Sequence, residues 1–168
     1  MMKPGKSSKA RVVNGVIAAL ITIIFLVHGT MGSLSALFGF SGALAWVVWG
    51  AVILACLHVV VSALTSAQQL TDKEFPPSRR KKAHLALKWV TGGLLAVAAI
   101  AHIILPKSSV AAAGVIVAVS VVLAVHVWVG SKSLLTDLGF SRRYMWPLRI
   151  VVCLFAALFV VVMLRGIL

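Results

Sequence analysis

The sequence is nearly devoid of acid. Its 168 residues include three acidic side chains, Asp72, Glu74 and Asp137, against sixteen lysines and arginines. None of the three lies inside a long apolar run, which excludes a carboxylate proton relay within such runs and disfavours a compact zinc site there. Cysteine is almost as scarce. Cys56 and Cys153 fall in different apolar runs without CxxC spacing, so they read as buried, inert thiols and leave the redox compartment open. No dinucleotide-binding glycine motif is present either. Proline is kept out of the apolar interiors: Pro76, Pro77 and Pro106 stand in connections. Pro147 stands in the first turn of its run, where the missing amide proton is tolerated.

What remains is hydrocarbon. The chain is 61% hydrophobic, too apolar for a soluble domain of this size. Its runs of eighteen or more apolar residues read as membrane helices. The expected fold is an all-α integral membrane protein with five transmembrane helices, at about 12–37, 43–67, 83–105, 109–132 and 144–167. Residues 1–11 form a basic tail, and 12–168 form a single membrane domain. A signal peptide also opens with charge and an apolar stretch, but here the run continues to Phe40, so a retained helix is expected. The Gly39–Gly42 stretch, the charged and proline-containing linker 71–82, the turn at Pro106-Lys107-Ser108 and a polar connection at 133–143 separate the spans. Trp46 and Trp49 stand near the start of the second span, as interfacial aromatics do.

The formal charge of +13 has a location. Every lysine and arginine except Lys107 and Arg165 falls on one side of the five-span topology. Charge confined to the ends of membrane spans points away from nucleic acid and towards topology and lipid. By the positive-inside rule the N-terminus is cytoplasmic and the C-terminus is outside, in a multi-pass protein of a cell's inner (cytoplasmic) membrane.

Each of the first four spans holds one histidine, and an ionisable residue at such depth marks a functional site by default. Helical rise puts His28 about 24 Å and His102 about 28 Å above the cytoplasmic starts of their spans. The second and fourth spans run the other way, which leaves His58 and His126 about 22–24 Å below the outer face. Two layers result: His28 with His102 outside, His58 with His126 inside. A six-coordinate haem b needs two imidazoles on opposite faces of its iron, and haem is apolar enough to lie between helices. A membrane histidine also serves simply as a hydrogen-bond partner for a neighbouring helix. Gly114 lies near the outer layer, and Gly15, Gly92 and Gly93 near the inner one. These positions admit a flat ligand or ordinary close helix packing.

The stretch His126-Val-Trp128-Val-Gly130 leads to Asp137, with Arg149 beyond. It resembles the anchor subunits of succinate dehydrogenase and fumarate reductase, which carry a histidine, an aromatic, a glycine and an aspartate at this spacing. Lys88-Trp89-Val-Thr91-Gly92 is similar to the entrance of that family's third helix. The resemblance implies a five-helix cytochrome b with two haems b. The first helix would pair with the third on the outer haem iron (His28, His102), and the second with the fourth on the inner one (His58, His126). It implies electron transfer between a membrane quinone and an iron–sulfur subunit, with a flavoprotein carrying FAD, both docked on the cytoplasmic side. This chain would then have no stand-alone activity. His84, Lys88, Trp89, Lys132, Asp137 and Arg149 are the candidates for a quinone head group or a haem propionate. Leu138 stands where several members carry a tyrosine. Two alternatives are a di-haem quinol-oxidising anchor of another dehydrogenase or reductase, and a haem-free small transporter or assembly protein.

Overall fold

A computed structural model describes residues 9–39, 45–71, 76–106 and 110–165, excepting the side chains of 45 and 46. The start of the basic tail with Lys3 and Lys6, the rest of the Gly39–Gly42 stretch, the Trp46 side chain, Asp72, Lys73, Glu74, Lys107 and residues 166–168 lie outside the described residues.

The described chain consists of helices α1 (Lys9–Phe38), α2 (Ala45–Leu70), α3 (Arg79–Ile104), α4 (Val110–Asp137) and α5 (Met145–Arg165), with a single 3₁₀ turn at Arg142–Tyr144 before α5. All five are long and apolar enough to cross a membrane, and the protein is a multi-pass membrane protein. Helices dominate because lipid offers the backbone no partner, so a spanning segment must bond its own amides and carbonyls.

The helices outrun the apolar spans at the end that carries the α1 N-terminus, called here the basic end. The expected polar connection at 133–143 is corrected: α4 continues to Asp137. Hydropathy marks where hydrocarbon stops, whereas a helix stops where its last carbonyls find other donors. For α4 that point is Gly139, at φ +78°. There Phe140 N–H donates to Leu135 O and Gly139 N–H to Thr136 O, a Schellman ending that needs a left-handed residue. At the start of α3, Ser78 supplies the N-cap, its hydroxyl accepting from Lys81 N–H.

Successive helices run antiparallel, as the polar contacts at the basic end record. Ser62, late in α2, donates to Asn14, early in α1, at 3.1 Å. Lys88, early in α3, donates to Ser133, late in α4. Helix α4 packs along α3 and α5, and α1 packs along α2, α5 and α4. The apolar centre joins Leu123 and Val127 of α4 to Val152 of α5, with Phe25 and Leu95 against them. Helix α5, which has no histidine, contributes Val152, Ala156, Phe159 and Val162 to the buried set. Many other apolar side chains, such as Ile53, Val97 and Leu154, are exposed, as suits a surface covered by lipid. Cys56 is among the exposed residues and Cys153 is partly buried, which corrects the expectation that both thiols are buried: Cys56 lies on an α2 face with no helix against it.

The α1–α5 contact depends on a missing methyl group. A Cβ on Gly29 would overlap the Phe159 ring, whereas one on Gly32 would meet nothing within 4 Å. Gly29→Ala is therefore expected to destabilise the protein by about 1–3 kcal/mol through overpacking. Gly32→Ala is expected to be close to neutral, and Phe159→Leu to relieve the Gly29→Ala defect in a double-mutant cycle. Thermal unfolding in detergent reads all three.

Candidate functional site

One face of each of the first four helices turns inward around a cavity of about 400 Å³ at the basic end. The facing residues follow helical spacing. On α4 they are His126, Gly130, Ser133 and Asp137, and on α2 they are His58, Ser62, Ser66 and Gln69. Helix α3 contributes Lys88, Trp89 and Gly92, and α1 contributes Arg11 and Asn14. The volume falls within the range of ligand sites, roughly 300–1,000 Å³.

His126 is held against α3 in two ways. Its Nδ1 lies 2.9 Å from Thr91 Oγ1, and Thr91 is only 6% exposed. A Cβ on Gly92 would stand 3.3 Å from His126 Cε1, so the ring rests close to the α3 backbone. His58 lines the same cavity, and its Nδ1 is buried without a hydrogen-bond partner among the described residues. At the mouth, Lys88 donates to Ser133 and Trp89 Nε1 donates to Ser66 at 3.2 Å, tying α3 to α2. Asp137 pairs with Arg11 at 2.7 Å, closing α4 onto α1.

His28 and His102 form the second pair, with ring centroids 6.4 Å apart and planes inclined by 68°. They line a separate, smaller cavity of about 170 Å³ with Gly29, Ser33, Ser120 and Phe159. The layered pairing read from helical depth is thus present: His28 meets His102 across the bundle, and His58 and His126 share one cavity. Among the described residues no three His, Cys, Asp or Glu side chains gather closely enough to hold one ion. A pair of imidazoles suits a metal that brings its own equatorial ligands, whereas tetrahedral zinc needs three or four protein ligands.

The six head-group candidates divide. Lys88, Trp89 and Asp137 line the basic-end cavity; His84, Lys132 and Arg149 do not. Arg149 is engaged elsewhere. Its Nε donates to Ser131 Oγ at 2.9 Å and its Nη2 to Trp128 O at 3.1 Å. Its guanidinium lies 4.6 Å from the Trp128 ring and 5.4 Å from that of Trp146. These contacts fasten α5 to α4, an interfacial lock built from stacking and fixed N–H geometry. Of the glycines near the two layers, Gly92 meets His126 and Gly15 meets Leu138 and Asp137, while Gly93 and Gly114 face open space. Sequence reasoning missed Asn14, Ser62, Ser66 and Gln69. The α2 trio was legible in principle, because its i, i+4, i+7 spacing continues the stripe begun by His58.

Compared with protein-family models, with curated proteins and with solved structures, the chain matches none.

Replacing Arg149 by lysine keeps the charge and loses both the fork and the stacking. Arg149→Lys is expected to cost about 2 kcal/mol, from the loss of cation–π contact and of hydrogen bonds to buried Ser131. A melting curve of the detergent-solubilised protein checks this, with Lys132→Ala, an exposed cation, expected to be neutral.

Proposed function

We propose that the chain is the cytochrome b membrane anchor of a succinate:quinone oxidoreductase or fumarate reductase, carrying two haems b. The observation that carries this reading is the pairing of four histidines, one from each of the first four helices, at two separate cavities. Two imidazoles on opposite sides of one metal, each bonded at about 2 Å, hold their centroids about 6 Å apart. The 6.4 Å between His28 and His102 agrees with that spacing. At the basic end the support is the volume of about 400 Å³ and the hydrogen bond that orients His126.

In this reading His58 and His126 hold the iron of one haem, and His28 and His102 that of the other. The bound groups supply one-electron transfer, at potentials set by the ligands, their hydrogen bonds and burial. The protein's own residues do the rest. Thr91 orients one imidazole, Gly92 leaves room for its ring, and apolar residues of α4 and α5 keep water from the far pair. In this reading Lys88 is the donor for a carboxylate or a quinone carbonyl, while Trp89, its N–H held by Ser66, offers the face of its ring. By the positive-inside rule the basic end is cytoplasmic, and it would receive the iron–sulfur and flavoprotein partners in the inner membrane.

A second reading, a single-haem anchor, is favoured by the far cavity, whose roughly 170 Å³ lies below the usual ligand-site range of about 300 Å³ and upward.

The dithionite-reduced minus oxidised spectrum of purified protein, with a haem count, separates these readings. Two haems b per chain are expected, with His126→Ala and His28→Ala each retaining one and differing in which spectral component is lost. One haem in the unmutated chain, removed by His126→Ala, selects the second reading. A folded protein without haem refutes both.

A further inference from the structure

Thr91 Oγ1 has three close polar neighbours and one proton to give. It lies 2.9 Å from His126 Nδ1, 2.9 Å from Leu87 O and 3.1 Å from Lys88 O. Suppose the hydroxyl proton turns to the imidazole. A neutral ring must then carry its own proton on Nε2, which meets no acceptor among the described residues. Only one hydrogen bond forms within the protein, and the N–H is left facing the cavity. Suppose instead that the hydroxyl donates to a carbonyl one turn back. The imidazole then carries its proton on Nδ1 and donates it to Thr91 Oγ1. Both protons are used, and the only group left over is a ring lone pair. The second arrangement makes two hydrogen bonds within the protein against one for the first, so the hydrogen-bond count assigns the tautomer.

We infer that Thr91 is a positioning residue that holds His126 as its Nδ1–H tautomer and leaves Nε2 as a bare lone pair towards the basic-end cavity. Gly92 supports the same placement, because a Cβ there would press on Cε1 at 3.3 Å. His58 has no equivalent hold among the described residues: none of them hydrogen-bonds its buried Nδ1. The two imidazoles of this cavity therefore differ, one held by a hydrogen bond at Nδ1 and the other not. The tautomer stands on the geometry of the chain. Its consequence for haem rests on the reading proposed above, since an N–H bond at the far nitrogen orients a ligating imidazole and raises its basicity.

The test uses the full chain with ¹⁵N-labelled histidine, produced with haem synthesis blocked and held in lipid nanodiscs. The His126 signals are assigned by their loss in His126→Gln. Nitrogen spectra are expected to show Nδ1 protonated and Nε2 bare in the unmutated chain and in Thr91→Ser, and a mixture containing Nε2–H in Thr91→Val. In the haem-loaded chain, Thr91→Val is expected to weaken retention of the basic-end haem about 10- to 100-fold. Thr91→Ser restores retention, and the far haem is unaffected. A bare Nδ1 in the unmutated chain, or a tautomer indifferent to Thr91→Val, overturns the inference. A chain that binds no haem but whose His126 tautomer follows residue 91 sinks the proposed function and leaves the inference standing.

Discussion

Hydrocarbon offers no hydrogen-bond partner, and the polar architecture of this protein follows from that constraint. A polar side chain in a span finds its partners on its own helix or on another one, the buried Nδ1 of His58 being an exception among the described residues. Thr22, Thr30 and Ser120 take the first course, donating to the carbonyls of Ala18, Leu26 and Ile116 one turn back. The contacts between Asn14 and Ser62, Trp89 and Ser66, Thr91 and His126, and Arg149 and Ser131 take the second. All of these interhelical bonds lie in the basic half of the bundle. There polar pairs keep the helices in register, and in the other half close apolar packing against α5 does so.

This division gives the two histidine pairs unlike surroundings. His58 and His126 share a roomy cavity with hydroxyls, two amides and a lysine on its wall. His28 and His102 face each other in a tight apolar recess backed by Phe159. Two groups of one chemical kind held at these places would differ in hydration and in nearby charge, which is the means by which a protein separates the potentials of otherwise equal centres.

Much of this was legible in the chain. The five spans and their alternation follow from hydropathy. Helical rise alone, applied to His28, His58, His102 and His126, sorts them into the pairs that the structure brings together. The end of α4 was not legible from hydropathy, because Ser133 and Thr136 look like loop residues while their hydroxyls bond the helix's own carbonyls. Nor was the role of Arg149: its partner Ser131 and the rings of Trp128 and Trp146 become neighbours only when α4 and α5 pack. Gly29 carried no sequence signal, since the reason for it, the Phe159 ring, lies on another helix. In each case the missing information was which helix stands opposite.

Helix α5 has a further consequence, which concerns the order of assembly. It supplies half of the buried apolar residues among those described and packs along both α1 and α4, yet it is the last of the five helices to leave the ribosome. The four histidine-bearing helices thus enter the membrane before the helix that packs on α1 and α4. Val152, Ala156, Phe159 and Met163 of α5 line the far cavity. Among the described residues the basic-end cavity is lined by the first four helices alone, so only the recess of His28 and His102 waits for α5 to dock.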